Sequence, residues 1–209
     1  MTPLVTGDWR RLGLSCGLLA PVLWVGLIAA GDIYRSDIDP VIDFISELGE
    51  RGSSTEAILR YAGFIFTGGL YLCFAAALPS TASPRWKATV VAAFVALDGL
   101  GRAGAGVYPC DPGCGGLSRS QELHRLFATV GFCSGILAAL AAGVLYRRWI
   151  DLVLGLATTA FLLLMTWEEN PIHAEGLWER LATGALSLWV LVFAMWVRGW
   201  PRAQNARRR

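Results

Sequence analysis

The chain has 209 residues, of which 55% are hydrophobic and 16% charged, with a formal net charge of +2. Soluble domains carry roughly 25% charged residues, so this composition excludes an ordinary water-facing globule and favours a lipid-facing surface, where charge is costly. The net charge is small, and its distribution along the chain is more informative than its sum.

A helix needs about 20 apolar residues to cross a bilayer. Six runs qualify, at residues 12–30, 61–78, 88–108, 126–146, 150–167 and 181–197. The expected fold is an all-α polytopic membrane bundle of six transmembrane helices, one domain over residues 1–209. Several of the nine Trp residues sit near run ends, where membrane interfaces favour them. The first run follows Arg10 and Arg11. It exceeds the roughly 7–15 apolar residues of a signal peptide, so it reads as an uncleaved helix. Cys16 has the apolar run after it, not before it, which argues against a lipid-modified cysteine. Cys16, Cys73 and Cys133 lie within apolar runs and read as small hydrophobes.

Charge placement predicts the orientation. With the N-terminus inside, the inner segments hold Arg10, Arg11, Arg85, Lys87, Arg147, Arg148, Arg198, Arg202 and the tail Arg207, Arg208 and Arg209. The outer segments hold Arg35, Arg51, Arg60, Arg119, Arg125 and Arg180, and most of the acids. This asymmetry follows the positive-inside rule. It places both termini in the cytoplasm and the chain in the cell (inner) membrane. The terminal arginines read as a topology anchor that attracts anionic lipid heads, not as a nucleic-acid site.

The first outer loop contains Asp39-Pro40-Val41-Ile42-Asp43-Phe44-Ile45-Ser46-Glu47-Leu48-Gly49. Asp39 suits a helix cap, Pro40 the first helical position and Gly49 a stop. Val41, Phe44, Ile45 and Leu48 share the apolar face of a predicted short helix, with Asp43, Ser46, Glu47 and Glu50 on its polar face. The alternatives are an amphipathic connector and a lid over a cavity.

In the third span, Asp98 and Arg102 lie one turn apart on one face and are predicted to pair. Charges at this depth usually face a bundle interior or a water-filled cavity; the competing reading is a structural pair that fixes helix register. Gly99-Leu100-Gly101-Arg102-Ala103-Gly104 matches a dinucleotide fingerprint but lacks the strand and βαβ unit that motif needs. Its small residues instead make a thin helix that lets neighbours approach closely.

Beyond this span, Pro112-Gly113 is a turn that brings Cys110 and Cys114 together, and a disulfide is expected in an oxidising outer compartment. The two histidines, His124 before the fourth span and His173 after the fifth, both fall on the outer side, near Glu168, Glu179 and Arg180. Each reads as a polar end-group or as part of an outer cluster. Arg180 suits a phosphate or an acid. A zinc site at Cys110 and Cys114 would need two more ligands, one from His124 and one from an acid; no metal and no cofactor is expected, with His124 and His173 the residues to watch.

Ile45-Ser46-Glu47-Leu48-Gly49 after the first span, Pro109-Cys110-Asp111 after a small-residue third span, His124 before the fourth, and Gly176-Leu177-Trp178-Glu179-Arg180-Leu181 at the last occur in a characteristic order. In that order and spacing the chain resembles the bacterial membrane proteins grouped as domain of unknown function 998. The resemblance covers nearly the whole chain and implies a six-helix membrane fold, with no settled activity. The Ser46-Glu47-Leu48-Gly49 element also looks like that of the Frag1/DRAM/Sfk1 membrane proteins, a likeness that implies lipid handling.

Three functions fit these residues. The favoured one is lipid binding or handling at the outer leaflet, with Asp98, Arg102, Glu47, Glu179 and Arg180 as binding residues. The second is a lipid hydrolase or transferase, with His124 or His173 as base or metal ligand, Ser46 as nucleophile and Glu47, Asp98 or Glu168 in support. The third is a small proton-coupled transporter using Asp98. Membrane lipid is the expected partner, and the sequence leaves open a partner protein or a homo-oligomer.

Overall fold

The computed structural model describes the backbone of residues 4–167 and 171–206, with side chains at 9–167 and 171–199. Glu168 and the Arg207, Arg208 and Arg209 tail, singled out from the sequence, lie outside the described residues. Among those residues there is no strand. Six long helices cover α1 (Leu4–Tyr34), α2, α3 (Arg85–Val107), α4 (Arg119–Tyr146), α5 (Trp149–Thr166) and α6 (Glu175–Ala206). The α2 rod starts as a π-helical stretch (Ile58–Phe66), continues as α-helix (Thr67–Ala77) and ends in one 3-10 turn (Leu78–Ser80). All six are long and apolar enough to cross a membrane, so the chain is an integral multi-pass membrane protein.

Each helix packs against its neighbours in sequence, and α6 returns to α1, which closes a ring. Lipid tails are as apolar as Leu, so helix contact in a membrane relies on close van der Waals approach and not on hydrophobic burial. The buried face of α4 accordingly carries Gly131, Ser134, Gly135, Ala138, Ala139, Ala142 and Gly143. The larger core side chains come mainly from α6 and α2, with Trp189, Phe193, Tyr71 and Phe74 almost fully enclosed. Outside, Leu19, Val22, Leu137, Leu156 and Leu188 are exposed around the waist, a belt too apolar for water. Exposed Trp9, Trp86 and Trp149 stand near the starts of α1, α3 and α5, at one end of the bundle, as an interfacial aromatic girdle would.

The helices outrun the expected spans, most consequentially in α4. Ser118 caps it by accepting a hydrogen bond from the Gln121 amide at 3.2 Å, so the helix begins seven residues before Leu126. At its other end Arg147 adopts a left-handed turn, φ 57°, that leads directly into α5.

The loop after α1 departs from the expected continuous helix over 39–49. Asp39 does cap a turn, accepting from the Val41 amide at 2.9 Å. The chain then becomes extended at Phe44 and re-forms as a 3-10 helix, Ile45–Gly49. The cause is tertiary. Arg180 takes the Asp43 carbonyl and Glu179 takes the Ile45 amide, two groups a continuous helix would have used itself. Val41 therefore leaves the apolar face and is 45% exposed, while Ile45 and Leu48 are buried.

Candidate functional site

The 3-10 helix closes one end of the ring. Glu47 Oε1 accepts the Phe44 amide at 2.9 Å and fixes the first turn. Burial raises the Glu47 carboxyl above its usual range, against that hydrogen bond. Cys110 and Cys114 lie at disulfide distance, with Cα atoms 5.0 Å apart, across a turn in which Gly113 takes φ +67°. This turn is stitched to the lid. The Ser46 hydroxyl lies 3.2 Å from Cys114 Sγ, the Gly113 amide donates to Glu50 Oε2 at 2.5 Å, and the Arg51 amide donates to the Cys110 carbonyl at 3.0 Å. Asp111 receives both the Ser118 hydroxyl and amide, which hold its carboxyl below the usual range.

Beneath this lid is a cavity of about 590 Å³, within the range of small-molecule sites. Its roof is Phe44, Ile45 and Ser46, and its depth is set by Asp98 and Arg102 of α3. Arg102 precedes the end of α3 by five residues and Asp98 by nine, so they lie roughly 8 and 13 Å along the helix axis from that end. The pair is loose, with Arg102 Nη2 4.0 Å from Asp98 Oδ1. The guanidinium is held between two aromatic faces, 4.6 Å from the Trp24 ring and 5.0 Å from that of Tyr71, a cation–π arrangement that leaves its edge free. Arg102 Nε and Asp98 Oδ2 are buried and have no hydrogen-bond partner among the described residues.

His124 is 6% exposed and lines the same cavity. Its Nδ1 lies 2.9 Å from both the Ala105 and Tyr108 carbonyls. Two acceptors at that nitrogen require it to carry the hydrogen, so in the neutral ring Nε2 holds the lone pair. Glu179 also lines the cavity while its Oε2 accepts the Ile45 amide at 2.6 Å.

The structure thus gathers Ser46, Asp98, Arg102, His124 and Glu179 around one space and leaves the other candidates apart. His173 is exposed, 3.9 Å from Glu175, and does not line the cavity. Arg180 meets an acid, bonding Asp32 at 2.6 and 3.0 Å and the Asp43 and Gly176 carbonyls at 2.7 and 3.1 Å. Glu47 belongs to the lid turn and not to the lining. No hydrogen bond joins Ser46 to His124, and no three His, Cys, Asp or Glu converge on a metal position among the described residues.

Of the two sequence readings of His124, a polar end-group and a member of an outer cluster, the early start of α4 favours the second, because it carries the ring inside. The signal was present in Ser118-Arg119-Ser120-Gln121, the S-x-x-Q pattern of a helix start. Gln121, one turn before His124, was likewise unmarked. It is 1% exposed, accepts the Asp111 amide and donates to the Cys114 carbonyl, both at 2.8 Å. Trp24, Tyr71 and Asp32 carry no sequence pattern that ties them to Arg102 or Arg180.

No curated protein and no solved structure matches the chain. The model of the family described as Protein of unknown function (DUF998) matches residues 18–196, a stretch that runs from within α1 to within α6 and includes the lid and the cavity. The chain therefore belongs to the DUF998 family.

Proposed function

We propose that the protein binds or handles a membrane lipid at the extracytoplasmic leaflet, with the lipid head group in the cavity below the lid. One observation carries this reading. Arg102 Nε and Asp98 Oδ2, a donor and an acceptor with no partner among the described residues, are buried atoms of two side chains that line the cavity. Buried polar groups without partners are costly, and a head group that carries both an acceptor and a donor would satisfy the two at once. Phosphatidylglycerol and phosphatidylethanolamine have both, whereas the trimethylammonium of phosphatidylcholine donates no hydrogen bond.

The orientation rests on charge. Arg10, Arg11, Arg85, Lys87, Arg147, Arg148 and Arg198 lie toward the end away from the lid, which supports cytoplasmic termini in the cell membrane.

The test is native mass spectrometry of gently solubilised protein, with metal analysis on the same sample. Wild type should retain phosphatidylglycerol or phosphatidylethanolamine over phosphatidylcholine. The double variant Asp98→Leu/Arg102→Leu, which leaves neither charge unpaired, should lose it. Equal retention by both proteins would overturn the reading.

A second reading, turnover of the bound lipid, draws on the His124 geometry. A ring fixed through Nδ1 with its other nitrogen free is the arrangement of a general base. His124→Gln should then abolish release of a lipid fragment and leave lipid retention intact. Fragment release at the wild-type rate in that variant excludes His124 as the base.

A further inference from the structure

The lid covers the cavity from the aqueous end, and its attachments are specific: Glu179 to the Ile45 amide, Arg180 to the Asp43 carbonyl, and Ser46 against Cys114. The side wall between α4 and α5 is different. The two helices meet tightly away from the lid, where a Cβ on Gly155 would lie 2.9 Å from Leu140 and 3.2 Å from Ala139. Toward the lid they separate. The buried residues of α5, Asp151, Leu154, Gly155 and Thr158, all fall within its first ten residues. In the second half, Leu163 and Thr166 are exposed and still line the cavity, as do the exposed Thr129 and Cys133 across from them on α4. A residue that both faces outward and lines the cavity stands on the lip of an opening, and at this height the outside is hydrocarbon.

We propose that the ligand enters sideways from the bilayer, through the gap between the lid-side halves of α4 and α5, and leaves an acyl chain in that gap while its head group meets Arg102 and Asp98. This rests on the head-group reading above and names the ligand class as a chain-bearing amphiphile, not a water-soluble metabolite. Cavity size supports it. A cavity of about 590 Å³ is in the range of sites that take one small molecule or a head group, and does not enclose a whole two-chain phospholipid. The remainder must lie outside, and the gap leads to the one solvent that accepts it. The inner lining on this side, Phe132, Ile136, Leu162 and Met165, is apolar, as a chain requires.

The experiment fills the gap from its lips. Purified full-length protein is equilibrated with vesicles of phosphatidylglycerol and phosphatidylcholine in equal amounts, and bound lipid is read by native mass spectrometry. Thr129→Trp/Thr166→Trp should lower retained phosphatidylglycerol by about tenfold or more, the loss expected when two indoles overpack the gap against a chain seated there. Leu156→Trp, exposed on the closed half of α5 and away from the cavity, should retain lipid as wild type does. It serves as the folding control for a bulky lipid-facing ring. Soluble glycerol phosphate, offered alone, should not bind.

The outcomes separate the two claims. Full retention in the Thr129→Trp/Thr166→Trp protein, with loss in Asp98→Leu/Arg102→Leu, overturns the lateral route and leaves the head-group site standing. The reverse pattern keeps the route and removes the head-group site. Binding of glycerol phosphate at vesicle-free equilibrium also overturns the route, because it requires an aqueous entrance.

Discussion

Arg180 of α6 grips Asp32 of α1 through two hydrogen bonds of 2.6 and 3.0 Å, and with its remaining donors holds the lid at the Asp43 carbonyl. One side chain therefore closes the helix ring and fixes the cover of the cavity. Both partners are largely buried, at 13% and 17% exposure, so removing one strands the other. Arg180→Ala should lose about 3 kcal/mol of stability, in line with a broken buried pair. Cleavage of the lid segment by added protease should rise with it. Thermal unfolding in detergent together with limited proteolysis reads both effects; a variant as stable and as protected as wild type would show that the lid is held by its other contacts alone.

Asp98 and Arg102 should behave as a unit. Each single leucine substitution leaves one buried charge without its counter-ion and is expected to destabilise by about 3 kcal/mol. The double substitution should recover most of that loss, because a desolvated pair at 4.0 Å gains little over two apolar side chains. A double-mutant cycle on unfolding in detergent measures the coupling. Additive losses would mean that the two side chains do not interact.

Gly101 is where α3 and α4 touch. A Cβ there would lie 2.6 Å from Gly131 Cα, backbone that has no side-chain freedom to yield. Gly101→Ala should cost about 1–3 kcal/mol through overpacking. Gly184 on α6 has open space around it, so Gly184→Ala should be neutral or stabilising by up to about 1 kcal/mol on helix propensity. Comparison of the two midpoints separates local packing from a general intolerance of added methyl groups.

The lid should loosen in acid. Arg35 holds the Asp37 carboxyl low, the Gly52 amide holds that of Glu56 low, and Ser118 does so for Asp111. A lowered native pKa contributes stability above the unfolded value, about 4 for these groups, and the contribution is lost as pH falls through the native value. The contribution of these three carboxylates to the protection of lid peptides, exchange rates being taken relative to intrinsic rates at each pH, should therefore be steady from neutral pH to about 5 and should fall below about 4.

Glu47 acts with the opposite sign. Burial raises its pKa, so it favours the folded lid below the unfolded value, about 4.3, and that contribution disappears as pH rises through the raised native value. At neutral pH Glu47→Gln, whose amide oxygen still accepts from Phe44, should slow exchange in residues 44–50 relative to wild type. Faster exchange would show that the charge itself supports the turn.

The sequence by itself determined the six helices and the pairing of Asp98 with Arg102. Apolar run length and i, i+4 spacing are properties of the local chain, and a bilayer leaves a long apolar segment no alternative to an internally bonded helix. The short turn that joins Cys110 to Cys114 was legible for the same reason, since Pro112-Gly113 acts over four residues. The break in the lid was not legible. Local pattern favoured one helix over 39–49, and it is Glu179 and Arg180, more than 130 residues away, that take the backbone groups such a helix needs. The tertiary structure likewise decided that His124 enters the cavity while His173 stays outside, and that Arg180 is spent on Asp32 while Arg102 keeps a free edge between Trp24 and Tyr71. Each of these depends on which helices become neighbours when the ring closes, and residue spacing along one chain carries no record of that.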